Sequence, residues 1–200
     1  MSQKDLIKAV QQSNSIVLEQ LIKADPELSM EAASFNGEHI NALTIRDIDC
    51  SNTEWEACIF ESCSFINVNL EGAFFNGCTF HSCTFSGNDL SEMAFDGCVM
   101  QRTKISSSSD IDGLEFSNSQ LKDCVLEDLS FVDSNLLCLT ISQGSIARLS
   151  GSATLKSVVL RSVEIDDFDT SDMVLTACTA SGTDPVPEGF TAVKGNRRRV

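Results

Sequence analysis

The side chains best suited to chemistry in this sequence are its two histidines and nine cysteines. The stretch from Cys78 to Cys83, with His81 between them, contains the ligand types of a zinc site. The two cysteines, however, occupy the same position of a five-residue repeat, and His81 occupies a different one. We expect both thiols to point inward and His81 outward, so that the three cannot meet at one ion. The sequence therefore predicts neither a metal site nor a cofactor.

Catalytic signatures are also missing from the sequence. It contains no phosphate-binding loop of the G-x-x-x-x-G-K-[ST] type, no G-x-S-x-G nucleophile elbow and no H-E-x-x-H zinc motif. With no pairing of a nucleophile and a base to propose, we predict that the protein is not an enzyme.

The cysteines follow the repeat and not the spacing of a disulfide framework. Seven of the nine occupy the position two residues before a repeat centre, where a small, buried, weakly polar side chain is required. We predict reduced thiols that pack in the core. Cys138 is the exception, because its position faces outward and leaves it open to reagents.

The repeat that organises these residues is clearest from Phe60 to Met100. A large side chain recurs there at every fifth position: Phe60, Phe65, Leu70, Phe75, Phe80, Phe85, Leu90, Phe95 and Met100. Five residues turn a helix by roughly 140°, which would scatter these side chains around its surface. A short extended segment followed by a turn fits instead, with positions i−2 and i on one side of the chain.

The segments INVNL (66–70), SGNDL (86–90) and VDSNL (132–136) resemble the motif of pentapeptide-repeat proteins. The resemblance implies a mainly β fold, a right-handed quadrilateral β-helix with four pentapeptides in each coil of 20 residues. The sequence has this longer period as well, since Cys58, Cys78 and Cys98 are spaced by twenty. We therefore expect like side chains to stack in columns at the strand spacing of about 4.8 Å.

The extent of the five-residue repeat divides the chain into three predicted regions. Residues 1–38 are predicted to form an N-terminal helical cap of two short helices, which resembles an ankyrin-type pair; the alternative is a helix that docks a partner. Residues 39–180 form the β-helix, with one residue inserted at the serine run 106–109 and one lost near Ser150. Residues 181–200 form a closing segment, in which Phe190 folds over the last coil, and a mobile basic tail at Arg197–Arg199.

Charge is the remaining functional feature. The net charge is −15, and no Lys or Arg lies between Arg46 and Arg102. We expect a rather uniform negative field around this part of the rod, which serves either solubility or partner binding. The candidate partner-binding surface consists of nine acidic residues: Asp47, Asp49, Glu54, Glu56, Glu61, Glu71, Asp89, Glu92 and Asp96.

Function is predicted at the level of class. The leading hypothesis is a rigid scaffold that binds an unknown protein partner, with no direct contact to nucleic acid or membrane. The family resemblance implies an alternative, because some members bind DNA gyrase or topoisomerase IV as acidic mimics of duplex DNA. A third hypothesis is a bacterial secreted effector. The N-terminus has no apolar stretch typical of a signal peptide, so a cytoplasmic location is expected.

Overall fold

A computed structural model describes residues 2–107 and 110–193. The chain begins with two helices, α1 (Gln3–Gln11) and α2 (Ser15–Ala24). The Ser2 N–H donates to Asp5 Oδ2 over 2.9 Å at the start of α1. Asn14 Oδ1 accepts from the Val17 N–H over 3.1 Å at the start of α2. Both bonds satisfy backbone donors at a helix N-terminus, where no partner within the helix is available.

Strands and the turns between them make up the rest of the described chain, and most of the strands are only two to four residues long. In order they are β1 (Ser34–Asn36), β2 (His39–Asn41), β3 (Thr44–Arg46), β4 (Glu54–Glu56), β5 (Ile59–Glu61), β6 (Ser64–Ile66), β7 (Phe74–Asn76), β8 (Thr79–His81), β9 (Thr84–Ser86), β10 (Ala94–Asp96), β11 (Val99–Gln101), β12 (Lys104–Ser106), β13 (Asp110–Asp112), β14 (Glu115–Ser117), β15 (Gln120–Lys122), β16 (Val125–Leu137), β17 (Thr140–Ser142), β18 (Ser145–Lys156), β19 (Val159–Arg161), β20 (Glu164–Ile165), β21 (Met173–Thr176), β22 (Thr179–Ser181) and β23 (Thr191–Ala192).

These strands form a parallel β-solenoid of about seven coils. The predicted columns are confirmed, since Phe60 pairs with Phe80, Phe65 with Phe85 and Phe75 with Phe95. We name its four faces by the central residues of their rows. Face 1 has rows at 35, 55, 75, 95, 116, 136, 155 and 175; face 2 at 40, 60, 80, 100, 121, 141, 160 and 180; face 3 at 45, 65, 85, 105, 126, 146 and 165; and face 4 at 30, 50, 70, 90, 111, 131, 151 and 170.

The row spacing changes twice, as the sequence predicts. Phe95 pairs with Phe116, twenty-one residues away, across the predicted insertion. Leu136 pairs with Leu155, nineteen residues away, across the predicted deletion. Ser108 and Ser109 lie outside the described residues, so the insertion is seen through its effect on the rows.

The interior is filled by stacked rings. Phe65 lies 4.7 Å from Phe85, and Phe60 lies 4.8 Å from Phe80, with their planes nearly parallel. Trp55 stacks on Phe35 at 3.8 Å, one coil closer to the helices. All these rings are at most 2% exposed. Apolar burial and close dispersion contacts along these columns therefore stabilise one coil on the next.

The cysteines line the inner corners beside the rings. The Cys78 thiol donates to the Trp55 carbonyl oxygen over 3.3 Å, and the Cys83 thiol to that of Phe60 over 3.4 Å. Burial raises the pKa of the Cys50 and Cys124 thiols, because a thiolate would lose its hydration there. Cys138 alone among the nine is exposed. The predicted inward packing of the repeat cysteines is confirmed.

The two helices cover the first coil. Ser13 Oγ accepts from the Asn41 N–H over 2.9 Å, and Ser15 Oγ accepts from the Thr44 N–H over 3.0 Å. These bonds satisfy two donors at the open edge of the solenoid, which would otherwise attract another strand. The helix pair is thus a cap, as predicted. Neither helix is long and apolar enough to cross a membrane, within the residues described.

The other end is closed by the segment after the last full coil. Strand β23 pairs with β22, and Phe190 is buried with its ring 6.0 Å from that of Phe168. Phe190 folds back as predicted, whereas Arg197–Arg199 lie outside the described residues. Strands β1 and β23 fall outside the solenoid limits of 39–180 expected from the sequence.

Candidate functional site

The three residues of zinc-ligand type between positions 78 and 83 do not point in the same direction. Cys78 and Cys83 are buried, whereas His81 lies on the outer surface of face 2, as predicted. The His81 Nε2 atom accepts from the Arg102 guanidinium. In residues 2–107 and 110–193, no three His, Cys, Asp or Glu side chains are grouped in a way that could hold a metal ion.

The nine predicted acidic residues are spread unevenly around the rod. Four lie on face 4 or on the corner that follows it (Asp49, Glu71, Asp89 and Glu92), three lie on face 1 (Glu54, Glu56 and Asp96), Glu61 lies on face 2, and Asp47 lies on the corner that follows face 3. The field is therefore not uniform, in contrast to the expectation from composition. The reason is the period of twenty, which places residues n and n+20 on the same face.

Face 4 and the corner that follows it carry acidic residues in seven of eight rows, and we call this surface the acidic face. Its outward positions carry nine described acidic side chains: Glu31, Asp49, Glu71, Asp89, Glu92, Asp112, Asp133, Asp169 and Asp172. Eight of them are exposed and Asp49 is half-buried. No Lys or Arg occupies an outward position of this face in the described part of the chain.

The basic residues of the solenoid lie elsewhere. Six of them belong to faces 2 and 3 or to the corners that follow these faces, and Lys156 lies on face 1; the six are Arg46, Arg102, Lys104, Lys122, Arg148 and Arg161. On face 3, Arg148 contacts Glu127 over 2.7 Å and also bonds Asp128. Lys104 and Arg148 lower the pKa of the Glu127 carboxyl group, and Arg148 lowers that of Asp128. No described ion pair involves the acidic face.

Backbone N–H groups hold several carboxylates of the acidic face in place. Asp49 Oδ1 accepts from the Ser51 N–H over 2.9 Å, and Asp89 Oδ1 accepts from the Ser91 N–H over 3.0 Å. Asp169 forms the same bond with the Ser171 N–H, which lowers the pKa of its carboxyl group. Such local turns fix the direction of a short side chain. The negative charges are therefore ordered as well as numerous.

The surface at the cap end of the acidic face is concave. A hollow of about 510 Å³ lies between the segment after α2 and the first coils. Its walls include four carboxylates and two amides: Glu27, Glu31, Asp47, Asp49, Asn67 and Asn69. The two amides donate to the Asp47 and Asp49 carboxylates over 3.2 and 3.1 Å. An arrangement of this kind can bind cationic groups, but it brings no nucleophile together with a base.

The structure adds five acidic residues to face 4 that the sequence reading missed: Glu31, Asp112, Asp133, Asp169 and Asp172. The prediction was confined to the stretch between Arg46 and Arg102 because basic residues interrupt the chain on either side. Those basic residues lie on other faces, so they do not interrupt the surface. Sorting residues by the period of twenty, corrected at 106–109 and near Ser150, would have found all five.

The comparisons with known proteins concern sequence and fold. The family model described as the SV2A/B/C luminal domain matches residues 27–105, less than half of the chain. A search of curated proteins found no match. Among solved structures, QnrB1, titled a plasmid-mediated fluoroquinolone resistance protein, is 17% identical with a TM-score of 0.46, and the match covers 82% of this chain and 94% of QnrB1.

A second similar structure is HetL from the cyanobacterium Nostoc sp. strain PCC 7120, titled a pentapeptide repeat protein involved in heterocyst differentiation regulation. It is 11% identical with a TM-score of 0.27, and the match covers 85% of this chain and 93% of HetL. Similarities with such low sequence identities and TM-scores say nothing about the function of this chain. The fold assignment rests on the strand pairing of this chain.

Proposed function

We propose that this chain is a non-enzymatic interaction scaffold of the pentapeptide-repeat family, and that it presents its acidic face to a basic surface of a partner protein. The observation that carries the proposal is the separation of charge around the rod. Nine carboxylates occupy the acidic face, at whose described outward positions no Lys or Arg stands, while the basic residues lie on the other faces or on the corners that follow them. Solubility alone requires charge but no such sorting.

Rigidity supports the same proposal. Every coil is joined to the next by parallel ladders on several faces, and rings fill the axis. A surface that is already ordered loses little conformational entropy on binding, so more of the interaction energy appears as affinity. A one-sided charge distribution also speeds the encounter with an oppositely charged partner.

The test compares two variants that lose equal charge on different faces. The first changes the acidic face (Glu71→Gln, Asp89→Asn and Glu92→Gln), and the second changes face 3 (Glu164→Gln, Asp166→Asn and Asp167→Asn). Each substituted residue is exposed. Tagged wild type and both variants are used for quantitative affinity capture from the source cells.

We expect a captured protein to be retained by the face 3 variant and lost with the acidic-face variant, with the loss reproduced by moderate salt. Equal capture by all three forms would contradict the role of the acidic face. A thermal unfolding scan of each variant serves as the folding control.

A second candidate, the DNA-mimicking modulator of gyrase or topoisomerase IV, is supported by linear charge density. Residues 31–193 contain 25 acidic and 7 basic residues, a net charge of −18. Eight rows at about 4.8 Å span roughly 34 Å, which is roughly one net negative charge per 2 Å. Duplex DNA carries about one charge per 1.7 Å.

A supercoiling assay with purified gyrase tests this candidate. Inhibition by wild type at low salt, reduced in the acidic-face variant and retained in the face 3 variant, is the expected outcome of mimicry. Wild-type protein that leaves supercoiling unchanged at low salt would remove it. Cytoplasmic location and secretion as an effector remain predictions from the sequence.

A further inference from the structure

Phe74 is unusual because it is the one aromatic side chain on the outer surface of the described solenoid that is exposed, at 39%. Its neighbour Phe75 points inward and is fully buried, as strand alternation requires. Phe74 lies on face 1, paired with Glu54 on one side and with Ala94 on the other. Outward positions of this fold do not need an aromatic ring for packing, so Phe74 calls for another explanation.

A hollow of about 190 Å³ lies beside this ring. It exists because Ala94 is small, and its walls are formed by Phe74, Ala94, Phe95, Asp96, Glu115, Ser117 and Asn118. Sites for small molecules and cofactors usually exceed about 300 Å³. The hollow is thus of a size to take a single side chain of a partner protein.

Four carboxylates lie in the rows around this ring, and two of them, Asp96 and Glu115, line the hollow. Glu54 and Glu56 lie in the row before Phe74, Asp96 lies in the row after it, and Glu115 lies one row further. None of the four takes part in an ion pair with a described residue. The basic residue of this face, Lys156, lies four rows from Phe74.

Neutral donors hold these carboxylates without neutralising them. Asn36 Nδ2 donates to Glu56 Oε2 over 2.7 Å. Asn118 Nδ2 donates to Asp96 Oδ1 over 2.9 Å, and Ser117 Oγ donates to Glu115 Oε1 over 2.7 Å. Each of these bonds orients a negative charge near the hollow while leaving it available to a cation from outside.

We propose that the hollow beside Phe74, on face 1 next to the acidic face, receives one arginine side chain of the partner protein that binds the acidic face, an inference that rests on the proposed function. The planar guanidinium stacks on the Phe74 ring and donates to Asp96 and Glu115, while its aliphatic stem covers Ala94. A lysine ammonium would meet the same charges, but it lacks the planar surface and the paired donors. Arginine is therefore preferred over lysine.

The test uses two fluorescein-labelled peptides of equal length and charge, one alternating arginine with glycine and the other lysine with glycine. Fluorescence anisotropy at low salt gives the affinity of each for the full chain. We expect wild type to prefer the arginine peptide, and Phe74→Thr to weaken it by about two- to fivefold, the contribution of a cation–π contact at an exposed site.

Two further variants separate the ring from general apolar contact. Phe74→Leu keeps an apolar side chain without the ring, and it should lose the arginine preference as Phe74→Thr does. Ile59→Thr is the matched control, because Ile59 has the equivalent strand position on face 2 and is 41% exposed. It should bind both peptides as wild type does. Replacing Glu54 and Glu56 with Gln should weaken both peptides alike, because neither residue lines the hollow.

The outcomes separate this inference from the proposed function. Equal affinity of wild type for both peptides, or Phe74 variants that bind as wild type, would overturn the arginine site while binding to the acidic surface stands. Absence of binding by either peptide at low salt would overturn both.

Discussion

Phe80 and Phe74 offer a direct test of the fold, because the same residue type stands six positions apart, once buried in the interior and once on the outer surface. Phe80 is 0% exposed, stacks on Phe60 at 4.8 Å and makes an edge contact with Phe75 at 5.4 Å. Phe74 is 39% exposed. We predict that Phe80→Ala and Phe74→Ala differ strongly in their effect on the free energy of unfolding.

The magnitudes follow from burial. Truncation of a fully buried phenylalanine costs about 3–5 kcal/mol, through lost transfer energy and the cavity left behind. The loss for Phe80 should lie near about 4 kcal/mol, because its ring contacts are lost as well. Truncation of Phe74 should cost about 1 kcal/mol, since 39% of the residue already faces water and its loss leaves no enclosed cavity.

Urea unfolding followed by far-ultraviolet circular dichroism measures both losses. A difference of about 3 kcal/mol corresponds to a shift of about 6–12 °C in Tm for a chain of this size. Because coils contact only their neighbours, Phe80→Ala should also separate the transition into two phases. Equal losses for the two variants, within about 0.5 kcal/mol, would refute the assigned register.

Three further outcomes are expected. Cys138 should be the one thiol that reacts with Ellman's reagent in the native protein, and the other eight should react only after unfolding; rapid native labelling of more than one thiol would contradict their burial. Asn88→Ala should cost about 1–3 kcal/mol in urea unfolding, because its amide satisfies a buried N–H and a buried carbonyl; a neutral effect would contradict this. Glu127 and Asp128 have a lowered pKa when folded, so the native state binds fewer protons and stability should fall as pH drops below about 4.5; Arg148→Gln should flatten this decline in a Tm profile, and an unchanged profile would argue against the ion pairs.

The period of the sequence was sufficient to predict the rows of the solenoid. Neither a helix nor a simple strand explains a spacing of five residues. Each phenylalanine that follows this spacing therefore adds support for the same geometry. The prediction began too late, however. Met30 and Phe35 are in phase with Ile40 and are buried, which places the first rows before residue 39. They were missed because polar and small residues around them weaken the pattern.

The corners of the solenoid carry a sequence signal that the prediction did not use. The residue two positions after most row centres has a positive φ, as at Gly77 (60°) and Gly97 (62°). Glycine adopts this conformation without the strain of a side chain, and asparagine tolerates it better than most residues. The glycines at fifth positions therefore marked the corners in the sequence. Glu92 takes the same conformation (53°) and points its carboxylate away from the rod.

The candidate surface was the least predictable feature because charge has no period of its own. Counting acids along the chain selected a window, whereas binding depends on which of them share a face. Glu61 illustrates the difference: it lies in the predicted set, yet it stands on face 2 with His39 Nε2 3.2 Å from its carboxylate. Asp133 was left out of the set, although it shares a face with Asp89.

The fold also determines where a function can be placed. Its axis is filled by its own rings and thiols, so the described interior has no room for a substrate, and two of every five side chains are committed to it. The three outward positions of each repeat are free of packing demands and can change without loss of the fold. Substitutions at intervals of twenty residues can therefore change the binding specificity of a single face. The acidic face and Phe74 are features of this kind, and variants there should alter binding while the unfolding transition stays near that of wild type.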